Sequence, residues 1–360
     1  MRIKQYLYHC ALDKENSVVS KIIKGCLFIL SLLYGVIVWL IRNLNLIRRK
    51  KFNCVIISIG NITLGGTGKT TLVQEIAHFL TAEGKKVGII SRGFRKPRKV
   101  NRNYDSKYLL LGDEPAMLTD NLGKNIPVIV DSNRIRAVKL ALEKYKLDTL
   151  ILDDGFQQWA LYKDLEIVCL DASNPFGNRR LLPRGILRQP ISTLKKVDVF
   201  ILTDQSLSFK DNVLVSQLRQ LAPQALIIEA EHKPVAWYCV GKPKEQIALD
   251  YLRDRQVIAF CGIGNPYSFK RSLFSCGVSI VGWFEFEDHY PYCKQDIEKM
   301  YEEIGNKKEI LLVTTQKDVV RLPIEVVSQY GMNIFFLAIT LELKDGKQKL
   351  FNRLLSLYNL

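Results

Sequence analysis

Residues 60–71 read GNITLGGTGKTT and lie directly between an apolar run, 54–59, and a helix-patterned stretch, 72–80. Strand, glycine-rich turn and helix in that order aim free backbone N–H groups and a helix N-terminus at a polyphosphate. Gly65, Gly66, Thr67, Gly68, Lys69, Thr70 and Thr71 are therefore the candidate nucleotide-binding residues, with Lys69 reaching the terminal phosphates of ATP and the Thr70 hydroxyl holding Mg²⁺. A turn that only joined a strand to a helix would have no use for a lysine and two hydroxyls after its last glycine. The usual spacing places a glycine five residues before Gly68; this chain has Thr63 there.

Upstream of this loop, residues 26–41 are apolar apart from Ser31, Tyr34 and Gly35, and no charge interrupts them. At about 1.5 Å per residue the run extends roughly 25 Å, slightly short of a hydrocarbon core of about 30 Å. It is expected to be a membrane helix, either crossing a thinned bilayer or embedding from one side. A cleaved signal peptide does not fit, because Arg42 and Asn43 follow the run with no small-x-small site. Residues 1–51 carry ten Lys and Arg against Asp13 and Glu15, which is half of the chain's net charge of +16. Positive charge beside a hydrophobic segment points to an anionic membrane surface before nucleic acid. Five basic residues lie on each side of the run, so charge alone does not orient it. The nucleotide does: ATP is cytoplasmic. A second basic cluster, Arg92, Arg95, Lys96, Arg98, Lys99 and Arg102, suits lipid headgroups or a phosphorylated substrate.

Downstream, short apolar runs alternate with helix-patterned segments: strands at 87–91, 109–111, 127–130, 149–152, 165–170 and 197–202, with a helix ending at 145. That rhythm implies α/β architecture, a P-loop-type parallel sheet with helices on both faces. Beyond residue 205 it breaks and restarts. Residues 226–230 and 235–240 flank 231–234 as a hairpin-like linker to a second, smaller α/β domain, with helices expected at 267–274 and 294–303. The expected domains are 1–51, the basic segment and membrane helix; 52–222, the kinase-type domain; and 223–360, the linker and smaller domain. The eight cysteines show no C-x-x-C pair, which predicts neither disulfides nor a zinc site.

Metal-assisted phosphoryl transfer requires a carboxylate at a strand end opposite the phosphate loop. Asp153 and Asp154, ending the run 149–152, suit that role, and in extended backbone the two point in different directions. Asp113-Glu114 in Gly-Asp-Glu-Pro is a second acidic station that is ordinary turn sequence when taken alone. His289 carries little signal by itself.

The series GNITLGGTGKTT, SRGF, GDEP, DSNRIRA, DDGFQ, FGN with LLPRG and a following arginine, CGIGNPYSF, DHY and TTQKD covers nearly all of residues 54–320. In order and spacing it resembles the tetraacyldisaccharide 4′-kinase family, which phosphorylates a lipid A precursor. That family also lacks the outermost loop glycine and has an N-terminal hydrophobic helix. The resemblance implies transfer of the ATP γ-phosphoryl group to the 4′-hydroxyl of an acylated glucosamine disaccharide 1-phosphate at the bacterial inner membrane; the catalytic domains are expected to face the cytoplasm, and a monomer is expected, although the sequence leaves the oligomeric state open. The same resemblance implies Asp113 as catalytic base, paired with His289 from the second domain, so that the pair would form on domain closure. Thr70, Glu114 and one or both of Asp153 and Asp154 would surround Mg²⁺. Arg179, Arg180, Arg184 and Arg188 are candidates for substrate or polyphosphate contact.

Two other classes compete with the kinase. A membrane-associated P-loop NTPase acting as a switch or motor on a protein partner would share the loop, but Gln316-Lys317-Asp318 has the wrong spacing for guanine recognition. A nucleic-acid-dependent ATPase would use the positive charge, yet no recognition motif accompanies it, and no nucleic-acid partner is expected.

Overall fold

The computed structural model describes residues 6, 10–11, 13, 15–93, 112–123, 125–203, 213–305, 309–329 and 333–358. The expected strand 109–111 and the basic cluster beyond Arg92 lie outside these. The chain divides into two compact units. The first comprises 1–92, 133–231 and 343–360, and the second 93–132 and 232–342.

The first unit is built on parallel strands: β1 Val55–Gly60, β2 Val87–Ser91, β4 Thr149–Asp153, β5 Leu165–Asp171 and β6 Val199–Thr203. β4 lies between β2 and β1, β5 flanks the other side of β1, and β6 pairs β5. β1, β2, β4 and β6 are buried almost end to end, as expected of parallel strands covered on both faces. Leu72, Val73, Ile76, Ala77 and Leu80 form the buried stripe of the helix Lys69–Ala82. In register, Ile59 stands beside Asp153, so the end of β4 borders the entry to the glycine-rich loop.

In the second unit β9 Gln256–Cys261 is central, with β10 Ser279–Glu285 and β11 Leu311–Thr315 parallel on either side and β12 Ile334–Leu343 beyond β11. The two-residue period of β9 sorts its side chains cleanly. Val257, Ala259 and Cys261 join Phe269 and Leu273 of the helix Pro266–Ser275. Ile258 and Phe260 join Ile297 and Met300 of the helix Lys294–Ile304. Helices thus cover both faces of this sheet. The unit also contains the helix Asp113–Leu122 and the short strand β3 Val128–Val130.

Three sequence expectations change. First, residues 226–240 are not two arms of a hairpin around 231–234 but one strand, β7 Leu226–Cys239, which leaves the first unit and enters the second. Its charges read as a turn, yet they are solvated side chains of a strand: Glu231 pairs with Lys344, and Lys233 with Glu342. The hairpin comes one element later, where β8 Lys242–Ile247 folds back antiparallel on β7.

Second, the units are not the contiguous blocks 52–222 and 223–360. The segment 343–360 returns to the first unit, where Phe351 stacks on Phe79 at 3.7 Å and the Tyr358 hydroxyl bonds to the Thr149 hydroxyl at 2.7 Å. The helix Asp113–Leu122 belongs to the second unit.

Third, the N-terminal helix runs from Val18 to Ile47, 30 residues, because Ser17 caps it ahead of the apolar run and accepts from the Ser20 N–H at 3.1 Å. Its length of about 45 Å exceeds a hydrocarbon core. It is long and apolar enough to cross a membrane. One stripe nevertheless docks on the first unit: Tyr34 donates to the Arg188 carbonyl at 2.8 Å, Gly35 faces Leu181, and the Arg180 guanidinium sits over the Phe28 ring at 5.1 Å. Leu33, Val36, Ile37, Leu40 and Leu44 remain exposed.

Candidate functional site

The loop after β1 is braced from inside. The Asn61 side chain donates to the carbonyls of Thr63 and Gly65, and the Gln157 amide donates to the Asn61 carbonyl at 2.9 Å. Thr63 forms an antiparallel bridge with Leu187, and the Leu64 N–H reaches the Ile186 carbonyl at 2.9 Å. Position 63 is therefore extended backbone, where a β-branched residue is at ease and glycine has no advantage. The left-handed turns fall at Gly65 and Gly68, with φ of 114° and 75°. Gly60 is required for a different reason: a Cβ there would lie 2.6 Å from the Phe156 backbone nitrogen, so the loop entry and the Asp-Asp-Gly-Phe turn touch backbone to backbone.

The helix start beyond the loop suits an anion. The helix Lys69–Ala82 begins at Gly68 with no side-chain cap and no acidic residue in its first turn, leaving its first N–H groups for a phosphate. The Thr67 hydroxyl is buried and finds no hydrogen-bond partner among the described residues. An orphaned hydroxyl at an uncapped helix start fits a bound polyphosphate, whose oxygens would satisfy both.

The adjacent carboxylates have separate fates. Asp153, almost fully buried, accepts from the Ser91 hydroxyl at 3.3 Å, while its backbone carbonyl faces Arg134 at 3.4 Å. Asp154 sits in the left-handed region at φ 54° and spends both oxygens on a two-pronged pair with Arg188, at 2.7 and 2.9 Å. Lys69 Nζ lies 3.9 Å from the same carboxylate. Burial alone would raise the Asp154 pKa, but Lys69, Arg188 and Arg134 outweigh it and hold the carboxyl below its ordinary range. Arg188 also donates to the Asn61 side chain at 3.1 Å, tying the acidic turn to the loop brace.

Of the four arginines singled out by sequence, only Arg188 reaches this loop's surroundings. Arg184 pairs with Asp13 at 2.7 Å, Arg180 covers Phe28, and Arg179 stands over Phe176 at 5.9 Å. Two of them fasten the N-terminal segment to the first unit.

The second station is assembled wholly within the second unit. Asp113 and Glu114 open the helix Asp113–Leu122, where negative charge is favoured by the helix dipole. His289 Nδ1 lies 3.5 Å from Asp113 Oδ2, and Arg321 Nε approaches the same oxygen at 3.6 Å. The expectation that Asp113 and His289 belong to different domains is thus corrected: the pair needs no closure to form. The hydrogen bond to Asp113 raises the His289 pKa, burial works against that, and Asp288 and Glu114 reinforce it over the opposing charge of Arg321. Glu114 pairs with Lys317 at 3.1 Å.

Among the described residues no three His, Cys, Asp or Glu side chains stand together to form a metal cage. Mg²⁺ commonly takes one or two protein ligands and completes its shell from phosphates and water, so Thr70 with a carboxylate of the Asp153-Asp154 turn fits it without a cage. Sequence reasoning did not single out Asn61, Gln157, Ser91, Arg134 or Arg321 as site residues. Asn61, Ser91, Arg134 and Gln157 fall within GNITLGGTGKTT, SRGF, DSNRIRA and DDGFQ, and Arg321 lies three residues beyond TTQKD, but those segments do not show which side chains meet.

The sequence model of the tetraacyldisaccharide-1-P 4′-kinase family, LpxK, matches residues 23–359. A tetraacyldisaccharide 4′-kinase of Halothermothrix orenii is 34% identical over 95% of this chain and 95% of its own. That of Desulfotalea psychrophila is 35% identical over 77% of this chain and 81% of its own. In three dimensions the chain matches LpxK from Aquifex aeolicus, solved in complex with ATP, with a TM-score of 0.68 and 27% identity over 93% of this chain and 99% of that one. By a family match along nearly its whole length, the chain belongs to the tetraacyldisaccharide-1-P 4′-kinase family.

Proposed function

We propose that this chain transfers the γ-phosphoryl group of ATP to the 4′-hydroxyl of a tetraacylated glucosamine disaccharide 1-phosphate, with the nucleotide held by the first unit and the acceptor proton taken by the second. Family membership supports the reaction. The observation that carries the division of labour is the Asp113–His289 contact at 3.5 Å, a proton-accepting pair that plain ATP hydrolysis by a phosphate loop does not require.

The uncapped first turn after Gly68, the Thr67 hydroxyl and the Lys69 ammonium bind the phosphates. Thr70 and Asp153 would hold Mg²⁺, whose charge would offset that of the phosphoryl groups. Arg188, fixed by Asp154, keeps a guanidinium beside Lys69, and the Asp154 carboxylate balances both cations before ATP arrives. As the sugar oxygen bonds to the γ-phosphorus, the bridging oxygen departs with ADP. The hydroxyl proton passes to Asp113, whose Oδ2 is shared with His289.

The exposed apolar face of the helix Val18–Ile47 enters the cytoplasmic leaflet of the inner membrane, while the opposite stripe stays on the first unit. Docking along one side favours embedding over a lipid-encircled span. Vesicle sedimentation checks this: deletion of 1–51 should release the protein, and full retention would move attachment elsewhere. For the reaction, purified protein is incubated with Mg²⁺ and the acylated disaccharide, with ATP, GTP or DNA in separate arms. A 4′-phosphorylated lipid formed with ATP is expected. DNA-stimulated hydrolysis without lipid phosphorylation would overturn the assignment.

A further inference from the structure

Arg321 is buried, 5% exposed, and every nitrogen of its guanidinium is engaged. Its two terminal nitrogens donate to the Gly262 carbonyl at 3.0 Å and to Asp318 at 2.9 Å, and Nε donates to the Lys317 carbonyl at 3.1 Å. Asp318 has no exposed surface. One of its oxygens accepts from the Gly262 N–H at 2.9 Å, the Tyr292 hydroxyl at 2.8 Å and Arg321; the other accepts from the Thr315 hydroxyl at 2.6 Å. A buried ion pair satisfied this fully has a fixed geometry, because moving either member leaves several groups unpaired.

Both members of the proposed base pair rest on this cluster. The Arg321 Nε edge faces Asp113 Oδ2 at 3.6 Å. The His289 N–H donates to the Gly262 carbonyl at 3.0 Å, the same oxygen that Arg321 holds. His289 adopts a φ of 59°, a conformation that a non-glycine residue keeps only where its surroundings impose it. Gly262 cannot be replaced without disturbance: a Cβ there would meet the Glu287 carbonyl at 2.9 Å. The buried pair therefore fixes one partner through charge and the other through backbone.

We propose that Arg321, locked by Asp318 and Tyr292, is a positioning residue for phosphoryl transfer that acts through Asp113, holding its carboxylate against His289 in the geometry that receives the sugar hydroxyl. This rests on the reading of Asp113 and His289 as the acceptor's base. The cluster is drawn wholly from the second unit, whereas the nucleotide loop belongs to the first, so its loss should be felt in turnover and not in the use of ATP.

The test is a double-mutant cycle on the full chain in lipid–detergent micelles. Arg321→Lys, Asp113→Asn and the double variant are assayed for kcat and for KM of ATP with the acylated disaccharide. Arg321→Lys should lower kcat by about 10- to 100-fold, the scale of a small misplacement of a reacting group, with KM for ATP within about twofold. The double variant should be no slower than Asp113→Asn alone. An unchanged kcat in Arg321→Lys, or losses that multiply in the double variant, would overturn the proposal. If Arg321→Lys does not fold, Tyr292→Phe decides. It removes one hydrogen bond to Asp318 and should reduce kcat about threefold to tenfold at constant KM, the effect of one lost bond to a charged group. An unchanged kcat there sinks the idea as well. Failure of the underlying reading gives a different signature: Asp113→Asn itself would retain wild-type turnover.

Discussion

The two stations are built on opposite plans. The phosphate station of the first unit is mostly local: the turn, its uncapped helix and Lys69 are a single stretch of chain, braced from elsewhere by the acidic turn and by residues 186–188. The acceptor station of the second unit joins three distant segments, at 113, at 289 and at 318–321, onto one carboxylate oxygen. A local device can be carried by any α/β sheet, which is why phosphate loops recur across unrelated activities. An assembled one depends on its own unit's packing, and in the proposed mechanism it is what directs transfer to a particular hydroxyl.

Replacing Lys69 breaks the local side. Lys69→Ala should have the largest effect, lowering kcat/KM for ATP by roughly 10⁴-fold, because the same ammonium binds the terminal phosphates and meets the charge that develops in transfer. It should leave the His289 titration unchanged. A variant that keeps near-normal kcat/KM would remove Lys69 from the phosphates.

Replacing Asp113 breaks the assembled side, with a smaller and differently shaped result. Asp113→Asn should lower kcat by ~10³-fold while ATP binding, measured by calorimetry, stays within about twofold. It also has a reporter independent of turnover. His289 titrates above the ordinary 6.5 chiefly because it hydrogen-bonds to Asp113. Loss of the carboxylate removes the main raising influence, so the ring proton should leave at lower pH, visible in its NMR chemical shift. An unmoved or rising titration would show that Asp288 and Glu114, not Asp113, govern the ring.

The same contrast explains what could be read before the structure. The glycine-rich loop is legible because the residues that mark it lie within a dozen positions of one another. The strands at 87–91 and 149–152 are legible because each is a short, unbroken apolar run, as a parallel strand covered on both faces requires. Asp113 and His289 were placed only through family resemblance, since a turn aspartate and a loop histidine have no local pattern that announces a partner 176 residues away by numbering. Their membership of one unit was not legible, because the second unit takes in the excursion 93–132 from within the first. Thr63 departs from the usual loop spacing but matches the family resemblance, and its bridge to Leu187 supplies the physical reason, an extended backbone at that position. Glu231 and Lys233 read as a turn because paired charges on the solvated side of a strand and charges in a loop have the same composition. Arg184 and Arg180 looked like phosphate ligands for a similar reason, since charge alone does not say whether its partner is a substrate or Asp13.

The smallest expected effect tests whether the local station is as self-contained as its sequence suggests. Tyr34, midway along the N-terminal helix, donates to the carbonyl of Arg188, while the Arg188 N–H donates to the Ile62 carbonyl and its guanidinium grips Asp154 and Asn61. The helix that carries the exposed apolar face is thus bonded to the residue that braces the phosphate loop. Tyr34→Phe removes one hydrogen bond, worth about 1 kcal/mol, and keeps the ring that packs there. If the brace transmits that loss, KM for ATP should rise by about fivefold with kcat nearly constant, and the rise should be larger in detergent than in lipid vesicles, where the membrane restrains the helix. Equal KM values for the variant and the unaltered protein in both settings would show that the loop is held by Asn61, Gln157 and the Leu187 bridge alone. The phosphate station would then be local in its energetics as well as in its sequence.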